Sequence, residues 1–343
     1  FSMPKCCDRS VMLDLFKTSE CFGNVLRGAL IAAVLCAATP AVMPSAAKAD
    51  QTEEFYVYKD TRNLVALVND AAALIETQGK DAFTQFQTAG SRWFTGETYL
   101  FVYSDDGVSV FHPLSPEMTG LNEMGLRDID GKPIIQEITN IAKSSARDAS
   151  GWVFYHWQDK SQLSPMWKGS YVRKAVAPDG KVYLVGSGLY NIKTERSFVR
   201  KKVDDACALL MSVGKEEAFR QFQDPASPFV FLGNYISVLN SQGETLVDPA
   251  FPNRAGRNMM ELKDAVGFEP MKELMKKLET SDTAWVQFLW PKPGSVIPTR
   301  KLIYARKIQL GGETLIVGSD FFIATPIWMK AGTSETWRQN LPG

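Results

Sequence analysis

The 343-residue chain is poor in cysteine and nearly without histidine. Of five cysteines, Cys6, Cys7, Cys21 and Cys36 precede residue 50, which leaves Cys207 alone in the remainder. One thiol closes no internal disulfide, so the fold beyond residue 50 must rest on its apolar cores. The two histidines, His112 and His156, stand with that thiol at no recognisable zinc spacing, and no metal site is expected. Charge excess is missing too: 38 Lys+Arg face 38 Asp+Glu. A nucleic-acid surface needs a basic excess or stripe, so no nucleic-acid partner is expected. There is no G-x-S-x-G elbow, no P-loop and no H-E-x-x-H, and neither catalysis nor a cofactor is expected.

Long hydrophobic runs are also lacking. The apolar run at 29–38 is far shorter than the roughly 20 residues that span a bilayer. Arg27 precedes it and Ala47-Lys48-Ala49 follows, the charged flank, short apolar core and A-x-A site of a secretory signal peptide. The expectation is a signal segment over 1–49, a mature start at Asp50 and a periplasmic protein.

What the chain does have is one stretch written twice. Residues 152–174 read WVFYHWQDKSQLSPMWKGSYVRK and residues 285–307 read WVQFLWPKPGSVIPTRKLIYARK. At a constant offset they share Trp152/Trp285, Trp157/Trp290, Lys168/Lys301, Tyr171/Tyr304 and Arg173/Arg306, among others. The echo extends upstream, where FVYSDDGVSVFHP at 101–113 matches SVLNSQGETLVDP at 237–249, and downstream, where LVGS at 184–187 matches IVGS at 316–319. A solenoid repeats every 20–50 residues or so, and this period is far longer. The chain therefore contains a duplicated domain, divided as 50–193 and 194–326, with a tail over 327–343.

Within each copy the order of elements is the same. Leu64, Val65, Leu67, Val68, Ala71, Ala72 and Ile75 recur at spacings of three and four, predicting a helix over 62–78 that Gly79 ends. A hairpin follows around Asp105-Asp106-Gly107, then a polar connection, a helix over 134–145, and strands over 152–158, 168–177 and 182–186. A second long helix over 194–213 opens the second copy with no Pro/Gly/Ser linker before it, which predicts two rigidly joined domains.

These motifs resemble the single-Cache type 2 family, the small-molecule sensing module of bacterial chemoreceptors and sensor kinases. The first copy shows Phe111-His112-Pro113, Tyr155-His156-Trp157, Lys168 with Tyr171, and Val185-Gly186-Ser187-Gly188-Leu189-Tyr190. The second shows Val247-Asp248-Pro249, Arg257-Asn258, Trp290-Pro291-Lys292-Pro293-Gly294, Lys301 with Tyr304, and Val317-Gly318-Ser319-Asp320. The resemblance implies an α+β fold of two PAS-like domains, each an antiparallel sheet with a long N-terminal helix. It also implies a pocket for a small organic acid and a membrane-bound sensor or transporter as partner.

The candidate ligand residues are Tyr99, His112, Tyr155, Trp157, Lys168 and Tyr171 in the first copy, with Arg92 and Trp93 as a closing cap, and Trp290, Lys301 and Tyr304 in the second. A lysine inside a strand beside an aromatic wall can meet a carboxylate with a charge-assisted hydrogen bond. Alternation allows the opposite reading of a solvent-facing lysine. Asp248 stands where the first copy has His112, and a carboxylate there would repel an anion. The first copy is thus the expected anion site. The rival reading is a scaffold protein whose pockets are filled by their own side chains.

Overall fold

The computed structural model describes residues 56–158, 163–292 and 295–323. The expected signal segment and tail lie outside the described residues. Helix α1, Lys59–Gln78, turns Leu64, Val65, Val68, Ala71, Ala72 and Ile75 to the interior, as their spacing requires. Gly79 ends it at φ 59, a left-handed conformation that glycine takes without a Cβ clash. A short helix α2, Ala82–Phe86, and a two-stranded ribbon, β1 Phe94–Thr95 with β2 Thr98–Tyr99, lead into the main sheet.

That sheet has five antiparallel strands in the order β4-β3-β7-β6-β5. They are β3 Phe101–Ser104, β4 Ser109–Phe111, β5 Ser150–Trp157, β6 Met166–Val176 and β7 Val182–Tyr190, with helix α3, Ile134–Ala142, between β4 and β5. The second copy repeats the plan. Helices α4, Arg196–Val213, and α5, Lys215–Gln223, precede β8 Ser237–Asn240 and β9 Thr245–Val247. Helix α6, Pro270–Thr280, and strands β10 Thr283–Pro291, β11 Pro298–Leu310 and β12 Glu313–Phe322 complete a sheet ordered β10-β11-β12-β8-β9. Strand order and direction match position for position.

Each sheet has two apolar faces. One takes the long helix: α1 covers Leu100, Val102, Tyr171, Ala175, Tyr183 and Val185, and α4 covers Val238, Leu302, Tyr304, Leu315 and Val317. The other takes the short helix: α3 packs on Tyr99, Phe101, Tyr103, Val153 and Tyr155, and α6 on Leu239, Val286, Phe288 and Ile303. The period of two along every strand separates these sets.

One aspartate in each copy pins the connection before the short helix to the sheet. Asp128 Oδ1 accepts the backbone N–H groups of Asp130 and Lys132, and its Oδ2 accepts that of His156 at 2.8 Å. Asp264 does the same for Val266, Phe268 and Leu289.

The two copies share packed surface, in line with the missing linker. Phe154 of β5 belongs to the core that α4 organises, against Phe198 and Phe231. The Lys132 ammonium, 1% exposed, donates to the carbonyl of Ser227. Glu195, buried just ahead of α4, accepts the backbone N–H groups of Val57 and Tyr58 at 2.9 and 3.0 Å, just ahead of α1.

Candidate functional site

In the first domain, Lys168, Ser170 and Val172 of β6 point to the α3 side, where Lys168 is 1% exposed. Its ammonium donates to the Tyr99 hydroxyl at 2.8 Å and lies 4.5 and 4.9 Å from the ring centroids of Tyr99 and Tyr190. Gly188 on the neighbouring strand makes room for it: a Cβ there would come within 2.6 Å of Lys168 Cε. Tyr155 and Ser170 hydroxyls meet at 2.8 Å, and Ser187 Oγ donates to the Tyr99 carbonyl at 2.7 Å. Burial raises the hydroxyl pKa of both Tyr99 and Tyr155. His112 and Trp157 join the lining, with Phe101, Tyr103 and apolar side chains of α3. The space left is about 20 Å³, room for one water.

The second domain places a cavity of about 550 Å³ between β8, β11, β12 and α6. Lys301, 9% exposed, extends its ammonium to Asp320 Oδ1 at 2.8 Å. Arg254 donates from Nη1 to Asp248 Oδ2 at 3.3 Å, and Asp248 Oδ1 accepts the backbone N–H of Phe251 at 3.1 Å. Both ion pairs line the same cavity, along with Tyr235 and Trp290. Burial pushes the Asp248 carboxyl above its ordinary range, opposed by Phe251 N–H and Arg254. Burial also raises the Tyr235 hydroxyl, reinforced by Asp320 and Asp248.

The candidates named from sequence divide between the two faces. Tyr99, His112, Tyr155, Trp157 and Lys168 come together in the first domain, and Trp290 and Lys301 in the second. Tyr171 and Tyr304 do not join them. Each lies three residues beyond its lysine, an odd step that turns a strand side chain to the opposite face. Tyr171 packs toward α1 against Trp152 at 5.4 Å, and Tyr304 toward α4 against Trp285 at 4.7 Å. Arg92 and Trp93 form no cap over the pocket. Arg92 pairs with Asp70 of α1 at the surface, and Trp93 packs on Phe86 at 5.2 Å on the helix side.

Sequence reasoning missed Asp320, Arg254 and Tyr235. The first was visible as the Asp that follows Val317-Gly318-Ser319 where the first copy has Gly188. It also overlooked that His156 gathers two carboxylates. Its Nδ1 lies 2.8 Å from Asp130 Oδ2, and the three groups Asp128, Asp130 and His156 fall within 4.8 Å of one another. Asp128 spends its oxygens on three backbone N–H groups, so it serves the loop first.

Comparison with known proteins agrees with the duplication. The family model described as Single Cache domain 2 matches residues 212–324, and the model described as Cache domain matches residues 87–195. The chain belongs to the Cache family and carries two such domains in tandem. Among solved structures, it resembles a "periplasmic sensor domain of chemotaxis protein" at 26% identity, over 42% of this chain and 93% of that one, with a TM-score of 0.29. A Cache chemosensory domain titled for carboxylic acid recognition matches at 22% identity over 42% and 93%, TM-score 0.28. The periplasmic sensory domain of the Campylobacter jejuni chemoreceptor Tlp1 matches at 12% over 79% and 92%, TM-score 0.27. Superpositions this weak carry no weight beside the family matches and the repeated sheet order. Membership places the chain among extracytoplasmic ligand-sensing modules. Among the described residues, no helix is long and apolar enough to cross a membrane.

Proposed function

We propose that this protein is an extracytoplasmic sensor that holds its ligand in the second Cache domain, over 194–326, while the first, over 50–193, is filled by its own side chains. The ligand is a small organic acid that also carries an ammonium or hydroxyl group, an amino or hydroxy acid. The observation that carries this reading is the pair of opposed ion pairs, Lys301 with Asp320 and Arg254 with Asp248, on one cavity of about 550 Å³. That volume falls within the range of small-molecule pockets, about 300–1,000 Å³. A carboxylate can take over the cations only if something compensates the aspartates they leave, and a donor on the same ligand does so. A simple anion would leave both aspartates exposed to repulsion. The signal then passes to a membrane-bound sensor or transporter.

Calorimetric titration of the whole protein with alanine, lactate and acetate tests the ligand class. Alanine or lactate should bind more tightly than acetate. Lys301→Met should weaken that binding by about ten- to a hundredfold, the worth of one charge-assisted hydrogen bond. Lys168→Met should leave it unchanged. Loss of affinity with Lys168→Met and not with Lys301→Met would return the site to the first domain.

A further inference from the structure

A second cavity, of about 500 Å³, lies where the two domains meet, between edge strand β5, helix α3 and helix α4. Its walls are aromatic. Trp152 and Phe154 stack with an interplanar angle of 5°, and Phe198 closes on them at 4.7 and 5.1 Å. Set into those walls are polar groups that the fold leaves unused. Glu137 Oε1 of α3 and Ser197 Oγ of α4 are shielded from solvent and have no hydrogen-bond partner among the described residues. Lys202 of α4 holds its ammonium 5.8 Å from the Phe154 ring centroid, and no ion pair joins it to Glu137.

Such an arrangement is costly unless something meets these groups. A buried acceptor without a donor loses its hydration and gains nothing in return. Burial accordingly raises the Glu137 carboxyl, with Lys202 and Lys132 opposing, and lowers the Lys202 ammonium, with Glu137 opposing. The matching residue of the second domain shows what an ordinary helix-surface acid does at this place: Glu273 of α6 lies near its own Lys277, at 3.8 Å. Glu137 instead faces a hollow with a cation across it.

We propose that this junction cavity is a ligand site distinct from the second-domain pocket, taking a zwitterionic amino acid with an aromatic or branched apolar side chain. Its ammonium meets Glu137 and Ser197, its carboxylate meets Lys202, and its apolar body lies along Trp152, Phe154 and Phe198. Because β5 and α3 come from one domain and α4 from the other, an occupant touches both. Occupancy therefore couples to how the domains are held.

The test uses the whole protein with Ser237→Phe, which fills the second-domain cavity, titrated calorimetrically with phenylalanine and then leucine. Saturable binding of one of these is expected. Phenethylamine and 3-phenylpropionate, each lacking one charge, should bind roughly tenfold more weakly than phenylalanine or worse. Glu137→Gln and Lys202→Met should each weaken binding to a similar extent. No saturable heat with either amino acid overturns the proposal, as does an affinity that both substitutions leave intact. Should Ser237→Phe fail to fold, the unmodified protein decides: Glu137→Gln must remove one class of site from its titration, and unchanged heats overturn the proposal. Failure here leaves the second-domain reading standing, since that one turns on Lys301→Met.

Discussion

The two domains have one backbone plan and opposite interiors. Aligned by strand register, Phe101, Tyr103, His112 and Gly188 of the first correspond to Ser237, Leu239, Asp248 and Asp320 of the second. Phe101 and Tyr103 project into the space that Ser237 and Leu239 leave open, and about 20 Å³ remains against about 550 Å³. Gly186 is part of that filling, since a Cβ there would lie 2.6 Å from Phe101 Cζ. The lysine is kept in both, and its partner changes. Beside glycine it leans on tyrosine rings and a hydroxyl; beside aspartate it forms an ion pair. Duplication has left one copy as a solid core and the other as a vessel.

That contrast predicts the effect of exchanging its parts. Phe101→Ser deletes a buried ring whose place no neighbour can take, and should cost about 3–5 kcal/mol in urea unfolding of the whole protein. A loss under 1 kcal/mol or so would mean the first interior is not close-packed. The reverse change, Ser237→Phe, should fill the second cavity with little loss of stability. It should reduce affinity for the best alanine- or lactate-like ligand by roughly a hundredfold or more, equivalent to about 2.7 kcal/mol. Retained affinity would place the ligand elsewhere.

A smaller effect is expected from Asp320→Asn, which strips Lys301 of its anionic partner while keeping the shape. Thermal or urea unfolding without ligand should show a loss of about 1–2 kcal/mol. Gly188→Asp offers no equal gain in the first domain, because Lys168 occupies that space.

The smallest effect is a pH dependence. Burial raises the Asp248 carboxyl, so the folded protein holds that proton more tightly than the unfolded chain. The sign follows: its contribution favours folding below the ordinary carboxylate pKa and is lost as pH rises through the raised value. Subtracting the stability of Asp248→Asn from that of the unmodified protein should leave a difference that declines with pH over the acidic range. A difference rising with pH would mean that Arg254 outweighs burial.

Much of the plan was legible because repetition exposes it. Two occurrences of an aromatic strand, a turn and a strand ending in cations predict a duplicated sheet, and the helix over 62–78 lies within Lys59–Gln78. The faces were harder. Lys168 and Tyr171 are three apart in β6, so they cannot share a face, and the same arithmetic separates Lys301 from Tyr304. Sequence proximity had grouped residues that the pleat divides. Which copy is hollow depends on volume at corresponding positions, and Phe101 against Ser237 carries that information only once the register is known. Asp248 read alone as a repelling charge; Arg254, six residues on, turns it into half of a pair. The buried charge at the junction has no local signature, because it arises where α3 shares a cavity with α4, a helix distant in sequence.

Glu195 has a further consequence, a mechanical one. Its carboxylate grips the amides of Val57 and Tyr58 at the root of α1 while standing itself at the root of α4. A pull on the chain ahead of Val57 is thus delivered to the base of the second domain's long helix before it can peel α1 from the first sheet. Two short parallel bonds loaded together resist such a tug better than the same bonds opened one after another. A load entering there reaches both domains at a single fulcrum.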